Sequence, residues 1–315
     1  MRRTGTTRLL AVFAVVGLAL AACSSGSGGA SPSVASKGTV KIAINEWVGA
    51  EANVAVVQNL LQTLGYTVET PTLAEEVAWQ GFDTGEVDVI LENWGHPDLE
   101  KLYFEDKKVA EDAGPNGVTG IIGWYVPEWM VTEYPDITNW ENLNKYASMF
   151  KTSESGDKGQ FLASDPTFVT NDEALITNLD LDYKAVYSGS ESASVTAFQQ
   201  AAADKKPLIG YFYTPQWLLA ETKLVKVDFP AYTDGCDADP KKVACDYPPY
   251  TLNKAIRTEF AKANADAATL VKNFSWTNDD QNMVADYIAN KGMSPAEAAQ
   301  KWIDENEATW KAWMP

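Results

Sequence analysis

Large aromatic side chains recur at loop positions that follow strand-like runs: Trp47, Trp94, Phe168 and the stretch from Tyr211 to Trp217. Packing accounts for any one of these rings, because aromatics dominate core burial. A set of them gathered along strand ends goes beyond what a core requires. Ring faces carry negative potential, so several around one space form a cage for a quaternary ammonium, each contact contributing about 0.5–2 kcal/mol. The same rings would also serve as a stacking platform for sugars. A methylated ammonium has no N–H to satisfy, so its site needs few charged partners.

The charged residues agree with such a site. Among 315 residues there are 25 Lys+Arg, 43 Asp+Glu and one histidine, His96, for a formal charge of −18. One histidine excludes a multi-His metal centre and leaves His96 as the only base for a Ser-His or Cys-His dyad. The arginines are Arg2, Arg3, Arg8 and Arg257. With one arginine in the body, a receptor that clamps carboxylates or phosphates between several guanidinium groups is not expected. The acidic balance excludes a nucleic-acid partner, which demands a basic footprint. No cofactor and no metal are expected. Asp234, Asp237, Asp239 and Asp246 suggest calcium, but an EF-hand register from Asp234 puts Cys245 where a glutamate is needed.

The N-terminus sets the compartment. Arg2, Arg3 and Arg8 precede an apolar run from Leu9 to Leu20, too short to span a membrane and suited to the core of a secretory signal. Leu20-Ala21-Ala22-Cys23 resembles the lipobox of bacterial lipoproteins. That resemblance implies cleavage before Cys23, diacylglycerol on its sulfur, and anchoring to the outer face of the cytoplasmic membrane. The alternative is an ordinary signal peptide with a chance cysteine. Loss of residues 1–22 takes the formal charge from −18 to −21. Residues 23–37, rich in Ser, Gly and Ala, read as a flexible tether with a reach of about 20 Å. In an exported chain, Cys236 and Cys245 read as a local disulfide pinning a solvated loop. Closing so short a loop contributes about 2–3 kcal/mol.

The elements that must position the aromatics follow from periodicity. Thr39–Ile44 alternates as a strand, and Val54, Val57, Leu61 and Leu64 lie on a helical stripe ending at Gly65. Tyr66–Glu69 is a strand, Glu75–Thr84 a helix and Val87–Leu91 another strand, an alternation that predicts a parallel sheet. Ligands gather at the carboxyl ends of such strands, which here carry Asn45-Glu46-Trp47 and Glu92-Asn93-Trp94. Gly114–Gly123 reads as irregular, followed by a capping box at Thr138-x-x-Glu141 and a helix to about Phe150. Strands at Phe161–Ala163, Ala185–Tyr187 and Leu208–Phe212 alternate with helices from Asp172 and over Glu191–Asp204. Asn253–Phe274 reads as one amphipathic helix and Asp279–Asn290 as another. Ser294-Pro295-Ala296-Glu297 is a capping box with Pro at the first helical position.

At these residues the sequence resembles the substrate-binding lipoproteins of glycine betaine/proline betaine ABC importers, the ProX/OpuAC-type family. The resemblance rests on Ile44-Asn45-Glu46-Trp47, Leu64-Gly65-Tyr66-Thr67-Val68 and Gly85-Glu86-Val87-Asp88-Val89. It continues through Glu92-Asn93-Trp94-Gly95-His96-Pro97, Asp165-Pro166-Thr167-Phe168 and Leu208 to Trp217, in order, from Gly38 onward. It implies an α/β, two-lobe periplasmic-binding-protein fold (type II-like), each lobe a sheet flanked by helices, with the ligand in the cleft. The lobes would be 38–123 with 229–315, and 124–228. By the family's pattern Trp94, Phe168, Tyr213 and Trp47 are ligand-binding. Glu46, Asn93, Asp165, Val169 and Thr170 are further candidates, the last two through backbone N–H groups as carboxylate anchor. Trp-Gly-His-Pro departs from the family's Trp-x-Pro turn, so the role of the histidine some members place on the ligand carboxylate is not carried over to His96 by the resemblance.

The resemblance implies a binding protein, not an enzyme. It would capture glycine betaine or proline betaine by lobe closure and deliver it to a separate membrane permease driven by its ATPase. Without a carboxylate anchor, choline is an equal alternative, and Glu46 or Asp165 would then face the cation. A sugar or polyamine on the same fold is a further alternative, and an exported glycan-acting enzyme with paired carboxylates is the weakest.

Overall fold

The computed structural model describes residues 36–315. The expectations for the leader, Cys23 and most of the tether lie outside the described residues. The chain opens with β1 (Thr39–Lys41), α1 (Val48–Thr63), β2 (Thr67–Glu69), α2 (Glu75–Thr84) and β3 (Val89–Asn93). Helix α1 stops where Gly65 takes φ +96° and its N–H caps Gln62 O. Strands β1 and β2 pair in parallel, and Ile42 bridges Val89 in parallel, so the start of the chain is the β-α-β unit its periodicity predicts.

The middle runs through α3 (Pro97–Glu100), β4 (Ala110–Pro127), α4 (Glu128–Glu133) and α5 (Leu143–Tyr146) to β5 (Gly159–Ala163) and α6 (Asp172–Asn178). It continues with β6 (Tyr183–Tyr187), α7 (Glu191–Asp204), β7 (Gly210–Thr214), β8 (Leu224–Lys226) and β9 (Pro249–Arg257). The C-terminal helices are α8 (Thr258–Ala263), α9 (Ala265–Asn273), α10 (Asn278–Ala289), α11 (Pro295–Glu305) and α12 (Glu307–Lys311). The larger sheet has the order β3-β9-β4-β7-β5-β6, with β8 on β4.

Four expectations change. First, the larger sheet is mixed. Its centre is antiparallel, β9 against both β3 and β4 and β4 against β7, while β5 runs parallel to β6 and β7. Second, Gly114–Gly123 is the middle of one long strand. Gly114, Pro115 and Gly117 fall where the β4–β9 register shifts and do not end the strand. At Gly117, φ is +89° and a Cβ would sit 2.2 Å from Trp276 O, so only glycine fits.

Third, Asn253–Arg257 is strand. The helix beyond it breaks at Asn264 into α8 and α9. Pairing on both edges outweighs local helical pattern there. Lys254, fully buried, donates to the carbonyls of Lys272 and Phe274 at the end of α9. Burial pulls its pKa down to about 8. Fourth, the turn before α5 is capped by Asn139, whose side chain accepts Glu141 N–H at 3.1 Å, and not by Thr138.

Helices α10 and α11 carry complete capping boxes at Thr277/Asp280 and Ser294/Glu297, and both pack on α1. The core runs continuously from α1 through β3, β4 and β7 to β5, with Trp124 stacked on Phe161 at 3.8 Å. A second cluster, around Trp79, Phe82 and Tyr103, seats α2 beside β3. That seat fixes where Glu75, at the start of α2, meets the site.

Candidate functional site

A cavity of about 470 Å³ opens where the first β-α-β unit faces β7 and the loop after β5. Trp47, Trp94, Phe168 and Tyr213, predicted from sequence to act together, all line it. Their rings meet nearly at right angles: Trp47 on Phe168 at 5.6 Å and 88°, Trp94 on Tyr213 at 5.4 Å and 84°. Tyr211 closes the chain between Phe168 and Tyr213 at 6.1 and 6.3 Å, and Tyr250 extends it from Trp94 at 5.7 Å. The result is a box of ring walls.

Each wall is fixed from behind. Trp47 directly precedes α1, and Trp94 directly follows β3. Their indole N–H groups donate to one oxygen, Glu92 Oε1, at 2.8 and 2.9 Å. Asn53 of α1 donates to Glu92 Oε2 at 2.6 Å. Tyr211 and Tyr213 lie on β7 two residues apart, so the pleat turns both to one side. The strand is thus displaced from the predicted Leu208–Phe212. The Tyr213 hydroxyl donates to Glu191 Oε1, while Glu191 Oε2 accepts Val48 N–H at 2.8 Å, joining the first turns of α7 and α1. Asp172 accepts from Trp124 Nε1 at 2.8 Å and from the hydroxyl of Tyr247, another lining residue, at 2.9 Å.

These carboxylates are buried, which raises their pKa values: Glu92 from 4.5 to about 7 and Asp172 from 3.8 to about 6. In both, burial outweighs the hydrogen bonds that favour the ion. Glu191 moves upward for the same reason. Removing water from an ion without a countercharge disfavours its charged form. A cation in the box would reverse that balance.

The rim is acidic. Glu75, Asp98 and Asp237 line it with His96, and among the described residues neither Lys nor Arg does. His96 Nε2 meets Glu75 Oε2. Burial opposes protonation of the imidazole, but Glu75, Asp98 and Glu100 outweigh it and hold its pKa above the ordinary value.

The further candidates divide. Val169 lines the cavity, with its N–H 3.5 Å from Glu75 Oε1. Glu46 instead lines a neighbouring cavity, with its Oε2 3.0 Å from Thr167 Oγ1. Asp165 is buried and accepts Thr167 N–H and Oγ1 at 2.8 and 2.6 Å. Asn93 is buried against Glu100 and Asn253. Asp165, Asn93 and Thr170 are not among the lining residues. Neither Glu46 nor Asp165 lines this cavity, whereas Glu75 does, carried there by the seating of α2 beside β3.

Sequence reasoning missed Glu75, Tyr247 and Tyr250. The run Asp246-Tyr247-Pro248-Pro249-Tyr250 was the available signal for the tyrosines. Cys236 and Cys245 are bonded as expected, but their loop is not merely solvated. Asp237, Ala238 and Pro240 within it wall the cavity, while Val243 and Cys245 are buried.

Comparison with known proteins places this geometry. The family described as the substrate binding domain of the ABC-type glycine betaine transport system matches residues 38–305. The chain is 23% identical over 301 residues to the trimethylamine N-oxide-binding protein of Pelagibacter ubique, covering 90% of this chain and 92% of that one. It is 28% identical over 136 residues to a glycine betaine/carnitine transport binding protein of Listeria monocytogenes, 43% of this chain and 41% of that one. Lactococcal OpuAC, closed on glycine betaine, superposes with TM-score 0.69 at 23% identity, over 88% of this chain and 99% of its own. The glycine betaine/L-proline-binding protein ProX of Borrelia burgdorferi gives 0.72 at 20% identity, over 88% and 97%. These likenesses give the architecture as a two-lobe periplasmic-binding-protein fold. The chain belongs to the family of substrate-binding domains of ABC-type glycine betaine transport systems.

Proposed function

We propose that the box of Trp47, Trp94, Phe168 and Tyr213, completed by Tyr211, holds the methylated ammonium head of a compatible solute. The observation that carries this reading is the joint anchoring of Trp47 and Trp94 on the buried Glu92 carboxylate. Ring faces turned to the cavity and a carboxylate behind them make a potential well for a cation that cannot donate hydrogen bonds. Glycine betaine, carnitine and trimethylamine N-oxide, named with the related proteins, share an N-methylated nitrogen, as choline does.

Binding proceeds by closure of two lobes, 38–123 with 229–315 against 124–228. Support comes from contacts between residues assigned to opposite lobes: Glu191 on Val48, Thr167 on Glu46 and Phe168 on Trp47. Strand β4 pairs first with β9 and then with β7, so it runs from one lobe into the other. Ligand touching both lobes favours the closed population. The closed form delivers its ligand to a membrane permease in a separate chain, and Cys23 carries the lipid that keeps the protein at the outer face of the membrane. No catalysis is involved.

Calorimetric titration with glycine betaine, choline and a disaccharide tests this. A methylammonium ligand binds without turnover, and Trp94→Ala weakens it by about tenfold or more, as expected for loss of a desolvated cation–π wall. Binding of the sugar alone, or an unchanged affinity in Trp94→Ala, refutes the cage.

A further inference from the structure

A ligand with a carboxylate at its far end needs donors there, preferably charged ones. Two groups lining the cavity are of the right kind, the His96 imidazole and the Val169 N–H. Both are directed at the protein's own Glu75. His96 Nε2 lies on Glu75 Oε2, and Val169 N–H points to Glu75 Oε1 at 3.5 Å. Each oxygen of one carboxylate therefore takes one donor, which is the arrangement a bound carboxylate would adopt. Glu75 is buried, held at the first turn of α2 by the cluster beneath it. A third candidate donor, Asn171 N–H, is engaged by the Tyr247 hydroxyl at 2.7 Å.

The remaining rim groups do not replace these donors. Asp98 and Asp237 repel an anion. Tyr211, Tyr250 and the Asn171 side chain are neutral and both donate and accept. Such groups serve a ligand hydroxyl in both directions, but they bring no positive charge to a carboxylate.

We infer that Glu75 is a built-in substitute for the ligand carboxylate, so that the cavity selects a quaternary ammonium bearing a hydroxyl, of the choline type, over a zwitterion such as glycine betaine. This rests on the aromatic-cage reading and specifies which member of the class the cage takes. It makes Glu75 a specificity-determining residue. A zwitterion must either displace Glu75 from His96 or place its carboxylate against three acidic side chains.

The test is calorimetric titration of the full-length chain in detergent with choline and with glycine betaine, repeated for Glu75→Gln and Glu75→Ala. The native chain binds choline about tenfold or more tightly than glycine betaine. Either variant shifts that ratio toward glycine betaine by about tenfold or more, because His96 is released to meet the ligand. A merely structural role for Glu75 would weaken both ligands alike and leave the ratio unchanged, which overturns the proposal. Tighter binding of glycine betaine by the native chain overturns it even if neither variant folds, and leaves the cage standing. Binding of neither ligand overturns this inference, and the cage falls with it when carnitine and trimethylamine N-oxide also fail to bind.

Discussion

The indole N–H groups of Trp47 and Trp94 converge on a single oxygen, Glu92 Oε1, at 2.8 and 2.9 Å. One residue precedes α1 and the other follows β3, and 47 positions separate them in sequence. Sharing an acceptor fixes the angle between the two walls more firmly than two independent hydrogen bonds would. It also puts a titratable carboxylate directly behind the two ring walls, where the proposed cage would hold an ammonium.

Glu92 makes stability and affinity respond to pH in opposite directions. Its pKa lies at about 7 in the folded chain against 4.5 ordinarily, so between those values the folded state holds more protons than the unfolded one. Stability therefore falls as pH rises through this window, by a few kcal/mol if Glu92 acts alone. Asp172, at about 6 against 3.8, adds to the fall. His96, raised by its acidic neighbours, contributes stability below its ordinary pKa that is lost above its folded one. Ionised Glu92 attracts the cation, so ligand affinity rises over the same range. Thermal melts and titrations from pH 5 to pH 8 check both slopes; Glu92→Gln flattens the affinity slope and leaves only the part of the stability slope that Asp172 and His96 contribute.

Gly120 is the floor beneath Trp94. A Cβ there would meet the indole at 2.3 Å on Cζ3 and 2.6 Å on Cη2. The ring is hemmed by Tyr213, Tyr250 and Glu92, so it cannot simply swing aside. Gly120→Ala is expected to cost about 1–3 kcal/mol in stability through overpacking. It also weakens ligand binding, by pushing the Trp94 ring out of its place in the wall. A melt combined with titration measures the two effects, and native affinity in a stable variant would show that the ring position is unimportant.

The Cys236–Cys245 loop supplies Asp237, Ala238 and Pro240 to the cavity wall. Cys236→Ser with Cys245→Ser releases a short loop, with about 2–3 kcal/mol of stability lost by the closure-entropy argument. Because the same loop is a wall, affinity falls too, and dissociation quickens more than association slows. Stopped-flow fluorescence of the cage tryptophans separates the rates. A melting shift with no change in ligand dissociation would confine the bond to stability.

Local pattern was enough for several elements. Glu75–Thr84 and Glu191–Asp204 are helices over their predicted residues, and Ser294 and Glu297 form their box. In each, a capping residue or a terminal glycine acts within a few positions of the boundary. The aromatics were legible as a group because large rings at strand ends have no local reason to be there. What misled was whatever depends on a neighbour distant in sequence. Asn253–Arg257 carries a helix-like pattern and becomes a strand because β3 and β4 flank it. Gly114–Gly123 looks like a loop, yet it crosses the molecule as strand because β9 fixes its register.

By itself, then, the sequence narrowed the class of chemistry: with one histidine and one body arginine beside four aromatic positions, ring faces are the proposed means of holding a ligand. Which carboxylates face that ligand and which stand behind the rings was decided only in three dimensions. Glu46 and Glu75 are equally plausible as letters in a chain with 43 acidic residues. Seating of α2 beside β3 brings Glu75 to the cavity, while Glu46 is engaged by Thr167 beside a different one. Burial, too, is a property of the packed state, and it is the largest cause, with the nearby Glu191 charge, of the rise of Glu92 to about 7.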